Sequence, residues 1–173
     1  MSADPTRKSS GRARRKVGIE RSKRGTPNVR GFRAQDADAV TALVKQSPQA
    51  AIWSHASYVK FAEGDGSLVL VTEADGEISG LLVGRQVEDQ AEILNLAVAT
   101  NRRRNGEGTA LLVAALEEFG LRAVKTVYLE VRESNTGAIA FYASHGFAKT
   151  GRRNGYYRDP VDAAILMGKK LTG

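Results

Sequence analysis

A basic turn with two glycines is the part of this sequence whose residue types most clearly indicate chemistry. The turn spans residues 103–109, follows an apolar predicted strand and opens an amphipathic helix. The first turn of a helix carries unpaired N–H groups and the positive end of the helix dipole, and both favour anions. Gly106 and Gly108 let a diphosphate approach the backbone, while Arg103 and Arg104 add positive charge. The pattern predicts a diphosphate site, and the alternative is a glycine-rich helix start that binds nothing.

Two common nucleotide-binding motifs do not fit this turn. No Gly-Lys-Ser/Thr follows it, as a P-loop requires, and a dinucleotide-binding fingerprint would need glycine where Leu111 stands. The chain contains no cysteine, which excludes disulfides, a cysteine acyl-enzyme and cysteine-ligated metals. His55 and His145 lack the spacing of a metal site or a catalytic triad. We therefore predict structural roles for both histidines and no metal.

A second segment, residues 128–147, contains two further candidates. Glu130 lies on a predicted strand between two apolar residues, and an apolar wall raises the pKa of a carboxylate toward that of a useful base. The alternative is an exposed or ion-paired glutamate, with Arg132 as a possible partner. Tyr142 shares a predicted helix face with Ala138, so it is expected to point inward. The alternative for Tyr142 is a tyrosine that only packs in the core.

Strands and helices in a mixed order must position these candidates. The predicted strands are 29–34, 68–74, 78–87, 91–99, 125–132, 147–152 and 163–171. The predicted helices run from an Asp36 cap to Gln46, within 47–62, from Gly106 to a stop at Gly120, and from a Ser134 or Asn135 cap to Gly146. Asp75-Gly76 is typical of a hairpin turn. An antiparallel meander followed by a strand–helix–strand crossover predicts an α/β (α+β) fold, with a mixed, mostly antiparallel sheet and helices on both faces.

Charge divides the chain into two parts. The net charge is +7, but residues 1–33 hold eleven Lys/Arg and only two acidic side chains. Residues 1–28 have too few large apolar side chains to bury, so we predict a disordered basic arm followed by one domain at 29–173. The arm suits contact with RNA or the ribosome, and the alternatives are an idle solvated tail and a mitochondrial-type leader.

The rest of the composition is that of a globular protein. No segment approaches the roughly 18–20 consecutive apolar residues that a membrane helix needs. The basic N-terminus lacks the apolar region of a secretory signal peptide. We predict a cytoplasmic protein that makes no membrane contact.

The two candidate segments together resemble the GNAT superfamily of N-acetyltransferases. R-x-x-G-x-G at 103–108, preceded by N-L-A-V at 95–98, resembles the turn with which that superfamily binds the coenzyme A diphosphate. L-E-V-R-x-S-N-x-x-A-I-x-x-Y-x-x-x-G-F at 129–147 resembles its second signature. The similarity covers about residues 29–171 and is strongest to bacterial ribosomal-protein alanine N-acetyltransferases and their archaeal and eukaryotic relatives.

The resemblance implies a GNAT fold, acetyl-CoA as cosubstrate and a role for each candidate. Glu130 would be the general base, and Tyr142 would protonate the departing thiolate. The implied coenzyme contacts are Leu96, Ala97, Val98, Arg103, Arg104, Asn105, Gly106, Glu107, Gly108, Thr109 and Asn135. Trp53, Tyr156 and Tyr157 would contact a peptide substrate. The strand at 95–99 would splay from the strand at 125–132, and an N–H near Val98 would polarise the thioester carbonyl.

The chemistry of amines favours an α-amine acceptor. At pH 7, neutralising an α-amine costs roughly 1–1.4 kcal/mol, whereas neutralising a lysine costs roughly 4.6 kcal/mol. We therefore expect direct acetylation of a protein N-terminus within a ternary complex, of the ribosomal-protein alanine type. A small-amine or protein-lysine acetyltransferase is the alternative, but loops 47–62 and 151–160 contain one acidic residue, Asp159, with which to bind a polycation. An RNA- or ribosome-binding module with an inactive acetyltransferase fold is a third possibility, which the intact motifs disfavour.

Three positions depart from the pattern of this superfamily. Ala99-Thr100 stands where Asp-Pro often follows the N-L-A-V strand. Glu107 introduces a negative charge into the diphosphate turn, where we expect it to face solvent. Gly155 is an insertion before the tyrosine pair, and it alters the loop expected to hold the substrate.

Overall fold

The structure is a computed structural model that describes residues 27–47, 50–51 and 53–171. The predicted basic arm, apart from its last two residues, lies outside this range. The described strands are β1 Asn28–Gly31, β2 Ser67–Ala74, β3 Glu77–Val87, β4 Gln90–Val98, β5 Thr126–Arg132, β6 Ala148–Arg158 and β7 Val161–Lys170. The described α-helices are α1 Ala37–Lys45, α2 His55–Ala62, α3 Glu107–Leu121 and α4 Thr136–Ser144. Short 3-10 turns occupy Ala34–Asp36 and Thr100–Arg102.

The described strands form one sheet in the order β1-β2-β3-β4-β5-β7-β6. Only the β4–β5 pair is parallel, and α3 makes the crossover that joins these two strands. Asp75 and Gly76 both adopt positive φ, as expected for the predicted two-residue hairpin turn between β2 and β3. The predicted mixed, mostly antiparallel sheet is confirmed.

Helices cover both faces of the sheet and divide the core into two clusters. On one face, α3 and α4 pack over the larger cluster, to which Leu111, Leu112 and Phe119 contribute fully buried side chains. On the other face, α1 and α2 pack over a smaller cluster that contains Val40 and Tyr58. Apolar residues at helical spacing therefore face the sheet from both sides, as their periodicity predicts.

A bulge in β4 opens the middle of the sheet. Val83 of β3 faces Asn95, and Gly84 faces Ile93, so Leu94 is an extra residue on β4. Beyond this point β4 leaves its parallel neighbour, because its pairing with β5 ends at Ile93 opposite Leu129. The splay expected between these strands is present, and it leaves a groove at the centre of the sheet.

Three local predictions were wrong. Asp36 does not cap α1, because its carboxylate accepts hydrogen bonds from Arg30 and from the Arg33 N–H instead. Gly120 does not end α3, which continues to Leu121 before Ala123 adopts a left-handed conformation. Strand β6 continues to Arg158 rather than ending at 152, and β7 begins at Val161 rather than at 163, so the two strands form one long hairpin. Within the described residues, every helix is too short or too polar to cross a membrane.

The packing of Phe119 provides a test of the larger core. Phe119 is fully buried on α3, and its ring lies where a Cβ at Gly84 would come within 2.8 Å. Phe119→Ala should lower the free energy of unfolding by about 3–5 kcal/mol, because it leaves a cavity against the sheet. Leu121 is 82% exposed on the same helix, so Leu121→Ala is the control, and its free energy of unfolding should change by less than about 0.5 kcal/mol. Urea denaturation measures both variants. Equal losses for the two variants would contradict this packing.

Candidate active site

A cavity of about 320 Å³ lies where β4 separates from β5. Its walls come from both strands, from α4, from the β6–β7 hairpin and from the segment at residues 50–51. The predicted site residues in its lining are Leu96, Glu130, Asn135, Tyr142 and Tyr157. Residues far apart in the sequence therefore meet at the groove that the β4 bulge creates.

Glu130 projects into this cavity from β5, and its carboxylate is ion-paired. Arg153 Nη1 of β6 lies 2.8 Å from Glu130 Oε1. Arg132, the partner considered from the sequence, instead donates to the carbonyl oxygens of Asp159 and Pro160 and stacks on the Tyr157 ring at 4.0 Å. The carboxylate of Glu130 therefore lies against the Arg153 guanidinium and not against the apolar wall expected from the sequence. Sequence reasoning missed Arg153, because only the β6–β7 register brings it beside β5.

Glu92 is a second carboxylate on the same face of the sheet. Glu92 of β4 is the register partner of Tyr128 on β5, and Glu130 follows Tyr128 by two residues, so all three side chains share one face. Burial raises the pKa of Glu92, and the negative charge of Glu130 raises it further, while Arg153 opposes the shift. Sequence analysis missed this residue, because only the β4–β5 register places it near Glu130.

Tyr142 lies beneath the groove as predicted, with its side chain turned inward from α4. It is 8% exposed and packs edge-on against Phe141 and Phe147 at ring separations of 5.2 and 5.7 Å. Burial raises the pKa of its phenol above the usual range. The phenol of Tyr142 therefore keeps its proton throughout the physiological pH range, and it has a proton to donate.

The glycine-bearing turn brings backbone donors to one end of the groove. Gly106 precedes α3 in a left-handed conformation, with φ of 82°, and its carbonyl accepts from the Ala110 N–H. The N–H groups of Glu107, Gly108 and Thr109 have no backbone acceptor among the described residues. They form the unpaired first turn that the sequence predicts, and they are available to an anion.

Arginine side chains flank this turn without blocking it. Arg103 and Arg104 are exposed. Arg103 donates to the Val98 carbonyl at 3.1 Å through Nε, so its two Nη atoms take no part in that hydrogen bond. Asn105 is also exposed. A Cβ at Gly108 would meet Phe141 and Leu96 only at ordinary contact distances. The turn is therefore open on its outer side and positively charged there.

Glu107 does not face solvent, which corrects the expectation from the sequence. Its side chain is 2% exposed and turns inward, where it accepts hydrogen bonds from Thr72 and Arg102. Only its backbone N–H can therefore reach a ligand at the outer side of the turn.

The backbone of β4 presents polar groups to the open groove. The Ala99 N–H donates to Ser79 of β3 at 2.8 Å. The N–H and C=O groups of successive strand residues point to opposite edges of the strand. Because Ala99 points toward β3, the N–H and C=O groups of Leu96 and Val98 point toward the groove. Ala97 is different, because its side chain is buried in the α1–α2 cluster and its N–H points toward β3.

Asn135 both caps α4 and lines the cavity. Its Oδ1 accepts from the Ala138 N–H at 3.1 Å and caps α4, while the residue also lines the cavity. Ser134, the other candidate cap, instead donates its hydroxyl to Asp162 at 2.6 Å.

The β6–β7 hairpin places the tyrosine pair beside Glu130. Arg153 pairs with Ala164 and Tyr157 with Asp162, so β6 bulges between them, and Gly155 takes a positive φ of 58° within the bulge. Tyr157 lines the cavity, and burial followed by the charge of Glu130 raises the pKa of its phenol. The bulge leaves Tyr156 exposed, with its ring 5.2 Å from that of Tyr157 and 5.5 Å from the Arg153 guanidinium.

Trp53 and both histidines lie away from the cavity lining. Trp53 packs on Tyr58 and Phe61 of α2, at ring separations of 5.4 and 5.1 Å, and lines a separate surface cavity of about 730 Å³. His55 Nδ1 lies 2.7 Å from an Asp38 carboxylate oxygen, and His145 Nδ1 lies 2.8 Å from the Phe141 carbonyl. The cavity thus includes neither histidine, in line with the structural roles expected for them.

Comparison with known proteins relates this geometry to acetyltransferases. The family described as acetyltransferase (GNAT) matches residues 37–147. Ribosomal protein bS18-alanine N-acetyltransferase of Escherichia coli (strain K12) is 34% identical over 131 residues, which cover 75% of this chain and 88% of that protein. The crystal structure of the Escherichia coli ribosomal-protein-S18-alanine N-acetyltransferase gives a TM-score of 0.75 at 29% identity, covering 86% of this chain and 97% of the other. Ard1 from Thermoplasma volcanium gives a TM-score of 0.78 at 28% identity, covering 85% and 99%.

The proximity of the two carboxylates can be tested by titration. Glu130→Gln should lower the pKa of Glu92, because it removes the negative charge that disfavours ionisation of Glu92. Arg153→Gln should raise the pKa of Glu92, because it removes a stabilising positive charge. Carboxyl ¹³C NMR titration measures both shifts, and Glu77→Gln, at the exposed start of β3, is the control. A Glu92 titration that is unchanged in both variants would contradict the arrangement.

Proposed function

The chain belongs to the GNAT family of acetyltransferases, and on this premise we propose that it transfers the acetyl group of acetyl-CoA to the N-terminal α-amine of a protein. The observation that carries this proposal is the groove between β4 and β5. A turn with unpaired N–H groups follows β4 at one end of this groove, and a carboxylate and a buried phenol lie in its walls. A diphosphate-bearing thioester and an amine are substrates that such an arrangement can bring together.

The described residues fit the coenzyme. The N–H groups of Glu107, Gly108 and Thr109 would hold the diphosphate, with Arg103 and Arg104 providing charge. The other proposed coenzyme contacts are Leu96, Ala97, Val98, Asn105, Gly106 and Asn135. Among the strand residues, Leu96 and Val98 direct backbone groups into the groove, and we assign the Val98 N–H to the thioester carbonyl oxygen, where negative charge develops.

Glu130 and Tyr142 would move the two protons of the reaction. The ammonium of the acceptor replaces Arg153 at Glu130, and the carboxylate then takes one proton from it. The neutral amine nitrogen bonds to the acetyl carbon, and the carbon–sulfur bond breaks. Tyr142, which burial keeps protonated, donates its proton or a hydrogen bond to the leaving thiolate. The nitrogen releases a second proton as the amide forms, and this proton restores the Tyr142 phenol, while the proton on Glu130 passes to solvent. Acetyl-CoA and an ammonium thus become an amide, free coenzyme A and one proton.

A protein N-terminus suits this site better than a lysine. Neutralising an α-amine at pH 7 costs roughly 1–1.4 kcal/mol against roughly 4.6 kcal/mol for a lysine, and a single ion-paired carboxylate is a modest base. The similar proteins from Escherichia coli carry names that specify an alanine of ribosomal protein bS18. We therefore propose an acceptor of the ribosomal-protein alanine type, approached across the face that holds Tyr156 and Tyr157, with Trp53 at a greater distance.

The basic N-terminal segment fits this substrate class. Nine Lys/Arg within residues 1–28 would provide an electrostatic arm for RNA on the ribosome, although residues 1–26 lie outside the described range. A ribosomal-protein substrate also implies that the enzyme works in the cytoplasm. The arm would assist encounter with the substrate rather than take part in the chemistry.

Acetyl transfer to a peptide panel tests the choice of acceptor. Peptides that begin with a free alanine should be acetylated at the N-terminus, and the same peptides with blocked N-termini should not react even when they contain lysine. Mass spectrometry of the products locates the acetyl group. Acetylation of the blocked, lysine-containing peptides alone would exclude an α-amine transferase.

Glu130→Gln tests the proposed base. The substitution should lower kcat about 10²-fold or more, because the proton acceptor is lost, while the KM for acetyl-CoA stays within about twofold. Glu133→Gln is the matched control, since Glu133 lies three residues away in an exposed ion pair with Arg152. Steady-state kinetics with both substrates varied separates these effects. Equal losses in kcat and in acetyl-CoA affinity would mean that Glu130 has only a structural role.

A further inference from the structure

A buried carboxylate lies directly behind the diphosphate turn and has no part in the chemistry above. Glu107 is the first residue of α3 and stands between the two glycines of the turn. At 2% exposure, it is one of few charged side chains buried within the described residues. Burying a carboxylate is costly unless it is paired and hydrogen-bonded, so its contacts must compensate for that cost.

Both carboxylate oxygens of Glu107 are satisfied. Oε1 accepts from Arg102 Nε at 2.9 Å, and Oε2 accepts from the Thr72 hydroxyl of β2 at 2.9 Å. The Ser79 hydroxyl of β3 in turn donates to Thr72 at 3.2 Å. A Cβ at Gly80 would lie 2.4 Å from the Thr72 hydroxyl oxygen, so glycine leaves the space that this chain of bonds occupies. One donor from β2 and one from the preceding 3-10 turn thus converge on the carboxylate, and a hydroxyl of β3 supports the β2 donor.

The turn in front of Glu107 has little else to fix its shape. Arg104 has a φ of 62°, a strained conformation for a residue with a side chain, and Gly106 has a φ of 82°. No side chain caps the start of α3, because the N-cap residue is Gly106 itself. The Arg102–Glu107 contact spans this strained segment, and the Thr72 contact attaches it to the sheet.

We infer that Glu107 is a positioning residue that fixes the turn so that its free N–H groups are preorganised for the coenzyme diphosphate. This inference rests on the proposed function. The backbone donors of Glu107, Gly108 and Thr109 lie on the outer side of the same turn that the carboxylate anchors from the inner side. Preorganised donors bind more tightly, because ordering them costs nothing at the moment of binding.

The pairing with Arg102 also explains how a carboxylate is tolerated so close to an anion site. Arg102 neutralises Glu107 on the inner side of the turn, and its Nη1 lies 3.8 Å from Asp75 at the β2–β3 turn. An unpaired Glu107 would repel the diphosphate and remain buried without a counter-ion. The ion pair and the hydroxyl contact therefore act together.

Glu107→Gln in the full-length chain tests the positioning role. Gln keeps the shape and can still accept from Thr72, but it loses the ion pair with Arg102. Coenzyme A binding, measured by isothermal titration calorimetry, should weaken about tenfold, and the KM for acetyl-CoA should rise by a similar factor. The kcat and the KM for the peptide should stay within about twofold, which loss of stability alone would not produce.

Asp36→Asn is the matched control for this test. Asp36 is also a buried carboxylate paired with an arginine, Arg30 at 2.8 Å, but it lies at the start of α1. The Asp36→Asn variant should have a lower free energy of unfolding, but its coenzyme A affinity should stay within about twofold of that of the unaltered chain. Equal changes in coenzyme A affinity for Glu107→Gln and Asp36→Asn would overturn the inference.

A double-mutant cycle tests the role of the charge pair. Arg102→Met leaves Glu107 buried and uncompensated, so it should weaken coenzyme A binding more than Glu107→Gln does. Adding Glu107→Gln to Arg102→Met removes the uncompensated charge, so it should recover part of this loss and give an affinity between that of Arg102→Met and that of the unaltered chain. Additive losses would overturn the inference. If the single variants do not fold, the double variant still decides, because wild-type affinity in the double variant would overturn it.

These outcomes are distinct from failure of the proposed function. An unaltered chain that does not bind coenzyme A would contradict the proposed function itself. An unaltered chain that binds coenzyme A, together with Glu107 and Arg102 variants of equal affinity, would overturn only the positioning role.

Discussion

The structure depends on one strand losing its partner halfway along its length. Up to Ile93, β4 is held by strands on both sides, and past the bulge at Leu94 it keeps only β3. Buried backbone N–H and C=O groups require hydrogen-bond partners, so an edge of this kind inside a sheet persists only where another group occupies it. Arg103 satisfies one carbonyl of this edge, that of Val98. The remaining groups give the groove its capacity to bind an extended polar ligand.

The same loss of pairing brings the two halves of the chain together. Because the crossover through α3 starts where β4 ends, the glycine-bearing turn before α3 opens at the end of the groove. The β5–β7 pairing and the β6–β7 hairpin then carry Glu130, Arg153 and Tyr157 to its opposite wall. Asn95, which also lines the cavity, donates to the Ala51 carbonyl at 2.8 Å and so holds the loop that completes the lining. The register of the strands thus determines which side chains meet at this site.

Much of this arrangement could be predicted from the sequence, because its signals are local. Periodicity identified the helix faces at Val40 and Phe119, the Asp75-Gly76 pair identified a hairpin, and two dense motifs located the groove walls. The errors arose where tertiary contacts prevailed over local preference. Asp36 is a residue type that commonly caps helices, but its carboxylate is paired with Arg30 instead. Glu107 is a residue type that is usually exposed, but it is buried and accepts hydrogen bonds from β2 and from the preceding turn. The Arg153–Glu130 pair depends on a hairpin register that no sequence spacing reveals.

The ion pair between Glu130 and Arg153 has a thermodynamic consequence for substrate binding. In the proposed reaction the acceptor ammonium replaces Arg153 at Glu130, so one cation is exchanged for another and the number of ion pairs at this carboxylate does not change. The affinity for the acceptor at this position is then a difference between two attractions of similar size, and salt screens both terms together. Ionic strength should therefore act on this enzyme mainly through contacts elsewhere, such as those proposed for its basic N-terminal segment, and only weakly through the reacting amine.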